Sequence, residues 1–154
     1  MSEVETILED EIVNEIERSL ENFYRDYIDR FNTADVERFL EYFAQPYVSI
    51  SGERGVRVVA NDPGHASGFR RVMDGLKERG WVRSEIVAIK AWALEDNLGM
   101  ILSDVVRLKA DKSVLEEVRA CYLVRRENQS WKIATISEVR PPHLGPGNVP
   151  RPSP

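Results

Sequence analysis

From Leu98 to Val139 the sequence repeats with a period of two, and this stretch sets what the rest of the chain must do. Val118, Ala120, Tyr122 and Val124 alternate with Arg119, Cys121, Leu123 and Arg125, so apolar residues fall on both faces of one strand. After the polar turn Glu127-Asn128-Gln129-Ser130, Trp131, Ile133, Thr135 and Ser137 alternate with Lys132, Ala134, Ile136 and Glu138, and the β-branched residues suit a pleated surface. A sheet that is apolar on both faces needs a cover on each side. The upstream chain is read as supplying one of them.

At 154 residues the chain fits a single domain with a core of its own. Its formal net charge of -5 is unevenly spread. Glu3, Glu5, Glu9, Asp10, Glu11, Glu15 and Glu17 all precede the first basic residue, Arg18, and without those seven acids the remainder stands at +2. A body so close to neutral, with Arg70-Arg71 and Arg125-Arg126 as its densest basic pairs, has no stripe to neutralise a run of phosphates, so nucleic acid is not an expected partner. The one cysteine, Cys121, cannot form an internal disulfide, sits in mid-strand and reads as a small apolar residue. No apolar run reaches the roughly 20 residues of a membrane span, and the acidic start is unlike a signal peptide. The expectation is a cytoplasmic protein with no membrane partner.

Taken in order, Val4, Leu8, Ile12, Ile16, Leu20, Phe23 or Tyr24, Tyr27 and Phe31 recur every three to four residues, which predicts one long amphipathic helix over about Glu3 to Phe31. Its first half, residues 1–19, is an acidic extension read as a solvated face or an acidic docking site. Val36, Phe39, Leu40 and Phe43 predict a second, shorter helix ending before Pro46. Gly52-Glu53-Arg54-Gly55 turns a hairpin between residues 47–51 and 56–59. Asp62 is placed to cap a third helix, with Pro63 at its first position and Phe69, Val72, Met73 and Leu76 as its apolar stripe, stopping at Gly80. A strand from Trp81 to Leu94 then opens a four-stranded meander. Residues 141–154 hold six of the eight prolines and two glycines, too little apolar surface to offset the entropy of ordering, so a disordered tail is expected.

Helices followed by an antiparallel meander in this order resemble the nuclear transport factor 2-like superfamily, and within it the SnoaL-like branch. The likeness is carried by residues 39–51 (FLEYFAQPYVSIS) and 122–133 (YLVRRENQSWKI), and covers about Leu20 to Val139. It implies an α+β fold, a cystatin-like cone in which three helices pack on the concave face of a strongly curved antiparallel sheet, a pocket inside the cone, and a homodimer formed through the sheet. It also allows residue-by-residue comparison with enzymes of the superfamily. Tyr27 falls where ketosteroid isomerase has its oxyanion-stabilising tyrosine, Ser51 where it has its carboxylate base, and Cys121 or Tyr122 near its further acid. The Arg-x-Asp signature of limonene epoxide hydrolase would place Leu102 at the arginine and Asp104 at the aspartate. The Tyr-Asp pair of scytalone dehydratase would fall on Phe31-Asn32. Each known catalytic set is incomplete here.

The resemblance turns Tyr27, Ser51 and Tyr122 toward the cone. His65, the only histidine of the folded body, and Asp104, on a mostly apolar strand face, are the two groups able to move a proton near neutral pH without help. His65 reads either as that general acid or base or as an exposed first-turn residue. Asp104 reads as inward-facing or as lying on a dimer surface, and as catalytic or as paired with Arg107 or Arg119. Tyr24, Tyr27, Tyr47 and Tyr122 are hydroxyl donors or core aromatics with one satisfied hydroxyl. With one body histidine and one strand cysteine there is no metal-ligand spacing, no phosphate-cradling glycine loop occurs, and no cofactor is expected. Two function classes follow: a pocket protein binding or transforming a small apolar or aromatic metabolite by cofactor-free acid-base chemistry, or a non-catalytic dimeric binding or assembly module whose cone is filled by its own side chains. A pocket of about 300 Å³ or more with convergent polar groups separates the first from the second.

Overall fold

The computed structural model describes residues 2–60, 63–140 and 143–148. Three helices and six strands follow one another as α1 (Glu3–Asn32), α2 (Val36–Leu40), β1 (Phe43–Ser51), β2 (Gly55–Val59), α3 (Pro63–Glu78), β3 (Trp81–Glu95), β4 (Leu98–Lys109), β5 (Val114–Glu127) and β6 (Ser130–Val139). The strands form one curved sheet in the order β2-β1-β6-β5-β4-β3. The expected meander is β3 to β6, each strand antiparallel to the next. One pairing departs from an all-antiparallel sheet: β1 lies parallel to β6, which puts the β1–β2 hairpin on the free side of β6.

Helix α1 starts with a capping box that periodicity alone does not reveal: the Ser2 hydroxyl accepts from the Glu5 amide and the Glu5 carboxylate accepts from the Ser2 amide, both at 3.2 Å. Its buried residues are Ile16, Leu20, Tyr24, Tyr27, Ile28 and Phe31. The helix therefore joins the core at Ile16, where the Glu17 carboxylate also accepts from the Ala93 amide of β3 at 3.0 Å. At the other end, Asn32 holds both backbone groups of Ser84, donating to its carbonyl at 2.9 Å and accepting from its amide at 2.7 Å. These two clamps lay the second half of α1 along β3.

Helix α2 is shorter than its apolar spacing suggests. Phe43 opens β1 rather than closing the helix, because the Ile133 amide of β6 donates to the Tyr42 carbonyl at 2.8 Å and draws the chain into the sheet. Helix α3 ends as its glycine implies, with Gly80 at a φ of 99° and its amide donating to the Lys77 carbonyl. Asp62, the expected cap of that helix, lies outside the described residues.

The two sheet faces differ in what covers them. Ile101, Ser103 and Val105 of β4, with Ala120, Tyr122 and Val124 of β5, point to the helical side; all but the serine belong to one core that includes Tyr24, Tyr27, Phe31, Phe39 and Phe43. The opposite face carries Trp92, Met100, Leu102, Cys121, Leu123, Thr135, Val48, Ile50, Val56 and Val58, none packed under a helix. Within the stretch expected to be a disordered tail, residues 143–148 form a small loop laid on this sheet. Arg119 donates to the His143 carbonyl at 3.1 Å, and Gly145 is buried so close to the guanidinium that a Cβ there would meet Arg119 Cζ at 2.2 Å. Residues 141–142 and 149–154 lie outside the described residues.

Candidate functional site

The concave side of the sheet holds an aromatic interior. Tyr24 and Tyr27 come from α1, Phe39 from α2, Phe43 and Tyr47 from β1, Phe69 from α3 and Tyr122 from β5, with neighbouring ring centroids 4.6 to 6.0 Å apart. Most of these contacts are edge-to-face, the geometry ring quadrupoles favour. The rings touch one another across the cone. Beside Phe31, Phe39 and Met73 a gap remains that is too small for a water.

Buried hydroxyls in this interior satisfy each other. Ser103, fully buried on β4, donates to the Tyr24 hydroxyl at 2.6 Å, and the Tyr24 and Tyr122 hydroxyls lie 3.5 Å apart. Burial pushes the phenols of Tyr24, Tyr27 and Tyr122 up from their ordinary range. A second pair sits where β1 meets α3: the Tyr47 hydroxyl is 2.8 Å from Nε2 of His65, and burial pushes Tyr47 up to about 12 against a small opposing pull from Arg57. His65 is 8% exposed and its ring packs against Phe43 and Phe69. It is thus an interior residue, and the reading of an exposed first-turn histidine is corrected. The apolar stripe of α3 turns its first turn inward onto β1.

Asp104 is on the other side. Its carboxylate receives two hydrogen bonds from Arg119, from Nε at 2.6 Å and Nη2 at 3.0 Å, directly across the β4–β5 register. The carboxylate in turn holds the Arg119 guanidinium above its usual pKa. The inward set on β4 is the odd-numbered one, so the face expected to hold Asp104 near the cone is the outer one. Ser51 is not in the interior either: its hydroxyl accepts from the Glu53 and Arg54 amides at 3.2 Å each and closes the β1–β2 turn. Of the five expected pocket residues, Tyr27, Tyr122 and His65 are brought into one interior, while Asp104 and Ser51 are separated from it. Ser103, Tyr24 and Tyr47 join them there. Ser103 was legible only through its parity with Ile101 and Val105, once Tyr122 is known to face inward.

A charged cluster closes one rim. Arg107, 5.7 Å above the Phe31 ring, donates to Glu116 at 2.6 Å, and Arg79 at the end of α3 donates to the same carboxylate at 3.2 Å. Burial opposes the Glu116 charge, but the two arginines outweigh it and hold the carboxyl below its ordinary value. Among the described residues, hollows of ligand size lie outside the cone. One of about 360 Å³ involves Asp104, Arg107, Glu116 and Arg119, whose charges are already paired; another of about 440 Å³ lies between α1 and the β5–β6 turn, by Phe23, Tyr42 and Trp131. Among the described residues no three of His, Cys, Asp and Glu are grouped as metal ligands, and no helix is long and apolar enough to cross a membrane.

Known proteins share this architecture. A domain from Nostoc punctiforme with a cystatin-like fold superposes with a TM-score of 0.59 at 18% identity, over 82% of this chain and 78% of that one. An NTF-2 like protein from Shewanella oneidensis gives 0.60 at 11% identity, over 77% and 94%. The yeast UBP3-associated protein BRE5 gives 0.58 at 11% identity, over 78% and 92%. Identities this low establish the fold alone. No curated protein matches by sequence. The family model described as NTF2-like protein (DUF6841) matches residues 14–141. Its match takes in every strand, α2, α3 and the packed part of α1, and the chain belongs to this NTF2-like family.

Proposed function

We propose that this NTF2-like domain is a non-catalytic association module, dimeric through the outer face of its sheet. The observation that carries this reading is the cone itself, occupied by Tyr24, Tyr27, Phe39, Phe43, Tyr47, His65, Phe69 and Tyr122 in mutual contact. Proton transfer to a substrate needs an acid or base with a reacting atom within hydrogen-bond reach. His65 is engaged by Tyr47 inside the cone, and Asp104 is neutralised by Arg119 on the opposite side of the sheet. The two cannot act on one substrate. A role in association is compatible with the fold, which occurs in a yeast protein described as UBP3-associated.

The outer face supports the dimer. Val56 and Val58 are 71% and 66% exposed and Ile50 40% at one edge of this face, half-buried Leu123, Met100 and Trp92 lie on it beyond β6, and the helices cover only the other side. A self-complementary apolar face of this kind is what a two-fold dimer buries. Sedimentation equilibrium at micromolar concentration should therefore find twice the 17.6 kDa chain mass, and Leu123→Arg, at the middle of that face, should return the chain to a monomer with unchanged circular dichroism. A wild-type monomer under those conditions would refute the dimer. A ligand pocket is the second reading, favoured by the hydroxyls and imidazole gathered in the cone; it requires the aromatic rings to move apart.

A further inference from the structure

Residues 3–15 of α1 are helical, capped and exposed throughout, a rod of about 20 Å beyond the core. The family model begins at residue 14, so residues 3–13 of this rod lie outside its match. It carries apolar side chains that nothing covers: Val4 is 65% exposed, Ile7 51%, Leu8 53% and Ile12 51%. Four large aliphatic side chains on consecutive turns form a continuous stripe. Each four-residue step advances about 40° around a helix, so a stripe passing through Val4, Leu8, Ile12 and Ile16 has wound about 160° by the time it reaches Leu20. At Val4 and Leu8 it faces nearly away from the side that Leu20 and Tyr24 bury, and the chain's own sheet cannot reach it.

The charges around the stripe select what can. Residues 3–17 hold seven acids and no base. Glu11 lies four residues from Ile7 and three from Leu8, and Glu15 lies four from Glu11 and three from Ile12, so both carboxylates sit in the line of the stripe itself. Pairing two such rods would set carboxylate against carboxylate in the seam. Anionic lipid surfaces and nucleic acids are repelled for the same reason. An apolar stripe of this length along one helix matches one helix packed along another. We propose that residues 3–15 are a docking rod for a basic amphipathic helix of another protein, whose aliphatic residues cover Val4, Ile7, Leu8 and Ile12 while its lysines or arginines meet Glu11 and Glu15. The inference is independent of whether the cone is filled.

The test uses the full chain and a fluorescent synthetic peptide of about 18 residues, long enough to form a helix on contact, with a leucine-isoleucine stripe flanked by lysines. A scrambled peptide of identical composition serves as control. Anisotropy should show salt-sensitive binding of the striped peptide, weakened by about tenfold or more on scrambling and by as much in Leu8→Asp/Ile12→Asp. These positions are exposed, so circular dichroism of the variant should match the wild type. Glu11→Lys/Glu15→Lys should lose the lysine peptide and gain the same peptide with glutamates in place of lysines. Equal binding of striped and scrambled peptides, no binding of either, or an unchanged affinity in either variant would overturn the proposal. So would self-association of the wild-type chain that Leu8→Asp/Ile12→Asp abolishes, which would make a second copy the occupant.

Discussion

Raising the pH above 10 should unfold this protein in one cooperative step, with tyrosinate absorbance appearing together with the loss of tertiary structure. Tyr24, Tyr27 and Tyr122 are buried with pKa values pushed up by desolvation, whereas in the unfolded chain each ionises near 10. A group whose folded pKa lies above its unfolded one contributes stability that is complete below the unfolded value and declines above it as the pH rises toward the folded pKa. Each such tyrosine removes about 1.4 kcal/mol per pH unit in that window, so the three together remove about 4. For a domain of ordinary stability, about 5–15 kcal/mol, the midpoint falls between about pH 11 and 14. Gradual ionisation of all the tyrosines near pH 10 with near-UV circular dichroism intact would show that the interior is open to water.

Substituting Gly99 with valine should be among the most damaging single changes in the chain. A Cβ at Gly99 would stand 2.4 Å from Cδ1 and 2.8 Å from Cδ2 of Leu20, which is fully buried where α1 crosses β4. Leu20 is fully buried among the core, so its side chain, the helix or the strand must shift to make room. Overpacking of this sort costs about 1–3 kcal/mol and more where backbone has to move, which is about 3–10 °C in a domain of this size. Leu20→Ala alone costs about 2–5 kcal/mol by opening a cavity. The two should not add: in the Leu20→Ala background the penalty of Gly99→Val should largely vanish, because the new side chain enters the space the leucine left. Thermal melts of the four proteins measure this coupling, and additive losses would mean that α1 does not sit on Gly99.

Much of the fold was readable because its signals are periodic. The alternation in β5 and β6, the three-to-four spacing in α1 and the Gly80 stop each depend on neighbours in sequence, and each element formed where its residues indicated. Phe43 went astray because its helical spacing from Phe39 and Leu40 competes with pairing to Ile133, a residue 90 positions later. The face of Asp104 was undetermined for a related reason: β4 is apolar on both sides, so parity alone does not say which side the helices cover. Tyr27 and Tyr122 were found through the family likeness, but the same likeness put Ser51 in the cone when its hydroxyl is used by the turn that follows it. The depth of His65 depends on how α3 lies against β1, and the 143–148 loop on an arginine more than 20 residues away, neither of which local composition encodes.

The filled cone is tested most directly by native mass spectrometry of the full chain after exposure to a mixture of small apolar and aromatic metabolites, followed by buffer exchange. The protein should appear as a dimer of two 17.6 kDa chains free of any stoichiometric adduct, because the rings of Tyr24, Tyr27, Phe43, Tyr47 and Tyr122 pack against one another in the cone. A retained adduct at one per chain, abolished by Tyr27→Trp but unaffected by Leu123→Arg, would place a ligand inside the cone and contradict the account.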